Sequence, residues 1–225
     1  MARIVKIDSA FKKRFERQEK KRLINRRDYR LFYLIVCEGE KTEPNYFKSF
    51  EKELPVGVIK LEIEGTGRNT SGLVRHAIEL NKQSNRKFDR IWAVFDKDSF
   101  PAINFNSAIA IADANKINCA WSNEAFELWF LLHFQLVNNA MHRDDYKAYL
   151  EREIKRNSDN EHYRYIKNAP DTYEILKEFG NQNLAIRRAK KLKLSHTDQN
   201  YSRHNPCTLV YELIEELLNH KYTSK

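Results

Sequence analysis

The sequence predicts an α/β fold, with a mostly parallel sheet flanked by helices and followed by a helical C-terminal extension. Short apolar runs at residues 31–37 and 91–95 show no alternation of polar and apolar residues, which is typical of strands covered on both faces. Segments with helical periodicity separate these runs. Strands that alternate with helices indicate parallel pairing through right-handed crossovers.

In the first part of the chain, each predicted strand is followed by a predicted helix. Helix 71–83 is supported by apolar residues that recur at helical spacing, and Pro44 suits the first turn of helix 43–53. The predicted strands cover residues 31–37, 58–64, 90–96 and 118–121, and the predicted helices cover residues 43–53, 71–83, 105–116 and 124–134.

Beyond about residue 140 the pattern is helical, and it predicts no further strand. Asn205 and Pro206 predict the start of the last helix, as its N-cap and first turn. The predicted helices of this part cover residues 143–155, 171–179, 182–192 and 207–219. We therefore divide the chain into a basic N-terminal arm (1–30), an α/β core (31–140) and a helical extension (141–225).

Composition indicates a folded protein of a reducing compartment. Of its 225 residues, 41% are hydrophobic and 12% aromatic, which argues against disorder. The three cysteines are widely spaced and form no CxxC pattern, so we expect neither a disulfide framework nor a zinc site. No apolar run approaches the roughly 18 residues of a membrane span, and the N-terminus does not resemble a signal peptide. We expect a cytoplasmic protein with no membrane partner.

Most of the net charge of +9 lies in the N-terminal arm, where twelve Lys or Arg and four acids give +8. Such an arm suits a nucleic-acid backbone, although a solvated helix is about equally consistent with it. The loop 65–70 follows a strand and precedes a helix, so its amides are candidates for holding a phosphate, but it lacks the Lys-Ser/Thr of a P-loop. The candidate nucleic-acid-binding residues are Lys12, Lys13, Arg14, Lys20, Lys21, Arg22, Arg26, Arg27, Lys41 and Arg68.

Two of the apolar strands end in acidic residues. Glu38 follows the first strand, and Asp96 and Asp98 follow the third. If these strands are neighbours, the three carboxylates meet at one edge of the sheet, where ligands of parallel sheets bind. A pair of like charges about 4 Å apart costs roughly 4 kcal/mol at an effective dielectric constant near 20, so the cluster needs a counter-cation. Mg2+ or Mn2+ is the natural choice for oxygen ligands.

Four segments resemble a known family. They are residues 36–47, 95–98, 122–134 and 205–208, and they look like the RloB family, which includes the abortive-infection protein AbiLii. The strand–Glu–Gly and the DxD also resemble the Toprim domain of topoisomerases, primases and old-type nucleases. The resemblance covers about residues 31–219. It departs in one segment, because Asn123 to Glu127 stands where the family pattern has Asn-Pro-Cys-Phe-Glu.

The resemblance implies a Toprim-like core in which Glu38 acts as general acid or base while Asp96 and Asp98 bind Mg2+. It also implies a role in bacterial antiphage defence, beside an ATPase or a restriction locus. Glu43 belongs to the family motif, and it is either a second metal ligand or an acid that favours a helix N-terminus. Glu127 lies in an apolar helix, where it either ligates metal or binds an internal arginine.

Other chemistries fit the pattern less well. A DxD also occurs in haloacid-dehalogenase phosphatases and in glycosyltransferases, but neither needs a preceding strand–Glu–Gly, and Phe100 stands where those phosphatases carry Thr or Val. We expect too little room for a topoisomerase gate, and the cysteines supply no zinc module of a primase. We therefore expect a Mg2+- or Mn2+-dependent nuclease of RNA or DNA. The alternative is a non-catalytic subunit that binds nucleic acid or an ATPase.

The histidines are weaker candidates. We expect His133 to be a core residue of its apolar helix. His196, Arg203 and His204 are polar residues near the last helix, and a solvated loop explains them better than a place in the site.

Overall fold

The computed structural model describes residues 31–98 and 101–219, and in these ranges the chain forms one five-stranded sheet. The strand order is β2-β1-β3-β4-β5, in which the first four strands pair in parallel and β5 is antiparallel to β4. This confirms the predicted α/β class with a mostly parallel sheet. The strands are β1 Leu31–Cys37, β2 Ile59–Gly65, β3 Arg90–Asp96, β4 Asn118–Asn123 and β5 Cys207–Thr208.

Helices cover both faces of this sheet. Those of the core are α1 Thr42–Glu51, α2 Thr70–Gln83, α3 Ala102–Ala114 and α4 Glu127–Leu132. Those of the extension are α5 Tyr146–Ser158, α6 Thr172–Phe179, α7 Gln182–Leu194 and α8 Val210–Leu218. Across the described ranges, no helix combines the length and the apolar character that crossing a membrane requires.

The two faces bury separate hydrophobic clusters. Alternate residues of β1 point to opposite sides, so Leu34 and Val36 pack with α2 and α3, whereas Tyr33 and Ile35 pack with α1 and α4. The cluster that contains Tyr33 and Ile35 also includes buried side chains of α5, α6, α7 and α8. At its centre the Tyr46 hydroxyl accepts a hydrogen bond of 2.9 Å from Trp129 Nε1. The helical extension therefore shares its core with the sheet.

Two predictions for the C-terminal region are wrong. Residues 207–208 form β5, and the last helix begins at Val210, so Asn205 and Pro206 do not start it. A two-residue strand is too short for side-chain alternation to reveal it. The pairing of β5 with β4 depends instead on tertiary contacts, including a hydrogen bond of 2.9 Å between the Ser122 and Thr208 hydroxyls. The helix predicted at 124–134 is also shorter, spanning Glu127–Leu132.

Candidate functional site

The acidic ends of β1 and β3 lie side by side, as expected for paired parallel strands. The Glu38 amide donates to the Val94 carbonyl at 2.9 Å and thereby extends the ladder by one residue beyond β1. The Asp96 amide donates to Glu38 Oε2 at 3.2 Å. The main chain of β3 therefore holds the Glu38 carboxylate beside Asp96.

All five carboxylates that the sequence singles out line one small cavity of about 160 Å3 at this edge. Glu38 and Asp96 come from the strand ends, Asp98 from the chain after β3, and Glu43 and Glu127 from the first turns of α1 and α4. Among the described residues, Arg143 and Lys167 also line this cavity. With every group ionised, the lining would carry five negative charges and two positive ones. We call this set of seven side chains the acid pocket.

A glycine turn allows Glu43 to reach the acid pocket. A Cβ atom on Gly39 would collide with the Glu43 carboxylate, and one on Gly65 would stand 2.8 Å from the Gly39 carbonyl oxygen. The adjacent loop supports this turn, because the amides of Thr66 and Gly67 donate to the carbonyls of Cys37 and Glu38 at 3.1 and 2.9 Å. These two amides are therefore committed to the main chain, and phosphate binding by the other amides of the loop 65–70 stays a prediction.

Burial and mutual repulsion raise the pKa values of three of these carboxylates, those of Glu38, Glu43 and Asp96. Burial is the main factor that raises the pKa of Glu38 to about 7, and the charges of Glu43 and Asp98 add to it. The pKa of Asp96 lies well above its ordinary value because of burial and of the charges of Glu43, Glu127 and Glu38. Burial and the charge of Glu127 likewise raise the pKa of Glu43. The two cations of the acid pocket therefore do not balance its five carboxylates.

The donor set of the acid pocket fits a hard divalent cation. Glu43 Oε2 and Asp96 Oδ1 are buried and have no hydrogen-bond partner among the described residues. Buried carboxylate oxygens need such partners, and carboxylates are the ligands that Mg2+ and Mn2+ prefer. As the side chains lie, however, no three His, Cys, Asp or Glu residues in the described ranges stand in an arrangement that could hold a metal ion. Binding of a metal ion would require these side chains to rotate. Asp98 would also have to leave its salt bridge with Arg143.

Asp98 forms a salt bridge with Arg143, a residue that sequence reasoning missed. The main chain of Arg143 is fixed independently of its side chain, because its amide donates to Glu124 Oε2 at 3.0 Å. Glu124 lies in the turn between β4 and α4. Arg143 lies in a short 3-10 helix with no periodic signal, so nothing in the sequence pattern indicated its place.

Glu127 is nearly buried and has two partners from the extension. The Tyr165 hydroxyl donates to Glu127 Oε1 at 3.4 Å, and Lys167 Nζ lies 3.7 Å from the same oxygen. The expected internal partner is therefore a lysine and a tyrosine rather than an arginine. Metal ligation by Glu127 stays a prediction.

The loop that carries Lys167 is attached to the start of α1. Asn168 accepts a hydrogen bond from the Thr42 hydroxyl through its side chain, and its carbonyl accepts one of 3.1 Å from Asn45 Nδ2. Asn168 also has a positive φ of 69°, a conformation that asparagine adopts more readily than most residues. Lys167 and Asn168 lie in a loop without periodicity, and tertiary packing alone brings them to the acid pocket.

The remaining candidates among the described residues lie outside the acid pocket. Lys41 and Arg68 are exposed and do not line it, and the eight candidate cations of the arm lie outside the described residues. His133 is buried with Nδ1 2.9 Å from the Trp129 carbonyl, and burial lowers its pKa to about 4, as suits a core histidine. His204 is also buried, stacked on His196 and 2.9 Å from Asp198 Oδ1, so it belongs to a separate packed cluster.

Comparison with known proteins identifies the family. No match is found among curated proteins or among solved structures. A family model described as RloB-like protein matches residues 33–217, which include every residue of the acid pocket. This match confirms the resemblance drawn from the sequence motifs, and the chain belongs to the RloB-like family.

Proposed function

We propose that the protein is a nuclease that uses Mg2+ or Mn2+ to hydrolyse phosphodiester bonds in RNA or DNA. The observation that carries this proposal is the acid pocket, where five carboxylates meet and two of them have buried oxygens without a partner in the described ranges. The likeness of the strand–Glu–Gly and DxD motifs to the Toprim domain supports the same chemistry.

In this proposal Asp96 and Asp98 are the principal metal ligands, and Glu43 and Glu127 complete the set. The bound ion would neutralise charge on the scissile phosphate and lower the pKa of a water molecule. Glu38 would accept the proton of the attacking water. Its pKa of about 7 suits this role, because a general base works best when its pKa lies near the operating pH.

The cations would position the substrate. Arg143 and Lys167 are the positively charged side chains nearest the carboxylates among the residues that the structure describes, and phosphates pair well with such groups. The basic arm would add contacts along the nucleic-acid backbone. Lys41 and Arg68, both exposed, are candidates for further contacts.

The test combines cleavage with metal binding. Purified protein is incubated with total RNA or plasmid DNA in Mg2+, Mn2+ or EDTA, and its melting temperature is measured with and without Mn2+. We expect cleavage only with metal and a rise in melting temperature, since a ligand at a hundred times its Kd stabilises the native state by roughly 2.7 kcal/mol. The double variant Asp96→Asn, Asp98→Asn should lose both effects, whereas Asp159→Asn, at an exposed position, should keep them.

The variant Glu38→Gln distinguishes the role of general base from that of metal ligand. The amide keeps the shape and one acceptor oxygen but cannot accept a proton, so cleavage at saturating Mn2+ should fall by about 10² to 10⁴. Metal affinity, measured by calorimetry, should weaken only modestly. Cleavage at the wild-type rate would show that Glu38 is not the base.

The proposed setting is bacterial antiphage defence in the cytoplasm, with a partner ATPase, as the resemblance to the RloB family implies. A growth-arresting effector of this kind would act on nucleic acid that the host also needs. Reconstitution with an ATPase encoded beside the gene, followed by the same cleavage assay, tests whether activity depends on the partner.

A second candidate function is a non-catalytic subunit that binds nucleic acid or an ATPase. The pairs Arg143–Asp98 and Lys167–Glu127 favour it, because they neutralise two of the five acids without a metal. In that case the melting temperature would not respond to Mn2+, and no substrate, metal or partner would yield cleavage.

A further inference from the structure

The salt bridge between Arg143 and Asp98 lies at the solvent side of the acid pocket. The two side chains are 29% and 31% exposed, whereas Glu43 and Glu127 are almost fully buried. The hydrogen bond with Asp98 is the main factor that raises the pKa of Arg143, and the charges of Asp98, Asp96 and Glu127 add to it. The guanidinium therefore stands at the solvent side of the pocket with three carboxylates near it.

This salt bridge is suited to exchange. Partly exposed ion pairs contribute little net free energy, so a divalent ion with twice the charge can compete for Asp98. The buried oxygens of Glu43 and Asp96 give such an ion further ligands that Arg143 does not reach in this structure. Release of the side chain does not disturb the backbone, because the amide of Arg143 stays bonded to Glu124.

We propose that Arg143 and a divalent cation bind Asp98 in alternation. Without metal, Arg143 neutralises Asp98. When metal takes Asp98, the guanidinium turns outward and binds a phosphate of the nucleic acid at the mouth of the acid pocket. This inference rests on the proposed function and extends it, because it couples metal occupancy to substrate binding through one side chain.

The first experiment measures metal binding without substrate. Mn2+ affinity is determined by calorimetry for the wild type, Arg143→Gln, Arg143→Lys and the control Arg152→Gln, whose side chain is exposed on α5. Arg143→Gln should bind Mn2+ about tenfold more tightly, because a single and a double positive charge about 5 Å apart repel appreciably even in water. Arg143→Lys keeps the charge and should lie near the wild type, as should the control.

The second experiment measures nucleic-acid binding. Affinity for a short labelled RNA and a labelled DNA is measured by fluorescence anisotropy in EDTA and in Ca2+, which replaces Mn2+ to slow cleavage. In Ca2+, Arg143→Gln should bind more weakly than the wild type, and the salt dependence of log K should flatten by about 0.7 to 0.9, the effect of removing one cation from a phosphate. In EDTA the two proteins should differ little, since Asp98 then holds Arg143.

Tighter Mn2+ binding together with weaker nucleic-acid binding by Arg143→Gln is the result expected if Arg143 and the cation alternate at Asp98. A purely structural role for Arg143 would weaken both metal and nucleic-acid binding, and this result would overturn the inference, as would unchanged Mn2+ affinity in Arg143→Gln. Failure of the proposed function looks different: wild-type protein would then bind no Mn2+, or bind it equally after Asp96→Asn and Asp98→Asn. That result would remove the metal site and the switch together.

Discussion

At the scale of single residues, the acid pocket holds buried carboxylates whose ionised forms are unfavourable. Glu43 and Asp96 each have a buried carboxylate oxygen with no hydrogen-bond partner among the described residues. Burial raises the pKa of Glu38 to about 7. Functional sites commonly contain groups with shifted pKa values, and a ligand of opposite charge stabilises the ionised forms of such groups. The sign of the pH dependence follows from these shifts.

We predict that stability and metal binding depend on pH in opposite directions. The pKa of Glu38 is about 4.5 in the unfolded chain and about 7 in the folded protein, so the folded state binds more protons between these values. The contribution of Glu38 to the free energy of unfolding therefore falls as pH rises from about 4.5 to 7, and the loss is complete above 7. Mn2+ needs the ionised form, so its effect on the melting temperature should grow over the same range.

The measurement is thermal melting at several pH values in EDTA and in saturating Mn2+. Glu38→Gln should lose the part of the pH dependence that Glu38 supplies in EDTA. A Mn2+ effect of equal size at pH values of about 5 and 8 would contradict the raised pKa of these carboxylates.

At the scale of elements, the turn between β1 and α1 brings Glu38 and Glu43 to the same cavity. The turn can do so because Gly39 has no side chain. The amides of Thr66 and Gly67 also stabilise it by donating to the carbonyls of Cys37 and Glu38. The spacing of five residues between the two acids thus matches a strand end and the first turn of the helix that follows.

We predict that Gly39→Ala damages the acid pocket more than the fold. The added methyl group would collide with the Glu43 carboxylate and push it from the cavity. The Mn2+-induced rise in melting temperature should shrink, and cleavage should fall at least about tenfold. Glu40→Ala, at the neighbouring exposed position, is the matched control and should keep both. A wild-type response to Mn2+ in Gly39→Ala would show that Glu43 is not needed for metal binding.

The sequence predicted the elements that carry a long periodic signal and missed those that depend on contacts distant in sequence. Apolar strands such as β1 and β3 and the acids at their ends were visible because burial on both faces leaves a continuous apolar run. By contrast, β5 exists because Cys207 and Thr208 pair with β4, and Arg143 enters the acid pocket because Glu124 binds its amide. Neither contact leaves a local pattern.

At the scale of the whole molecule, the extension completes the core. Buried side chains of α5, α7 and α8 belong to the same cluster as Tyr33 and Ile35 of β1. Removing them would expose apolar side chains of this cluster, including those of α1 and α4.

We predict that a fragment of residues 31–140 does not fold into a stable unit. The cluster that contains Tyr33 and Ile35 would lose the buried side chains of four helices, and the apolar surface exposed in this way favours aggregation. The matched control is residues 31–219, which retains both clusters. Circular dichroism and binding of a hydrophobic dye distinguish the two. Cooperative melting of the shorter fragment would show that the extension is a separate domain.

We also predict that the basic arm contributes affinity without chemistry. Deleting residues 1–30 removes twelve Lys or Arg, and the salt dependence of log K should flatten by about 0.7 to 0.9 for each phosphate that the arm binds in the full chain. Turnover of bound substrate should persist, because every residue of the acid pocket lies after residue 37. An unchanged slope would indicate that the arm is a solvated or partner-binding segment.

The acid pocket also has an order of assembly. Its carboxylates lie between Glu38 and Glu127, whereas its cations and most helices of the adjoining hydrophobic cluster lie between Arg143 and Leu218. On the ribosome the acids therefore emerge before the cations, and the pocket is complete only after the later helices have been synthesised. Under the proposed function, this delay separates translation of the nuclease from its activity, so a nascent chain poses no hazard to the nucleic acid around it.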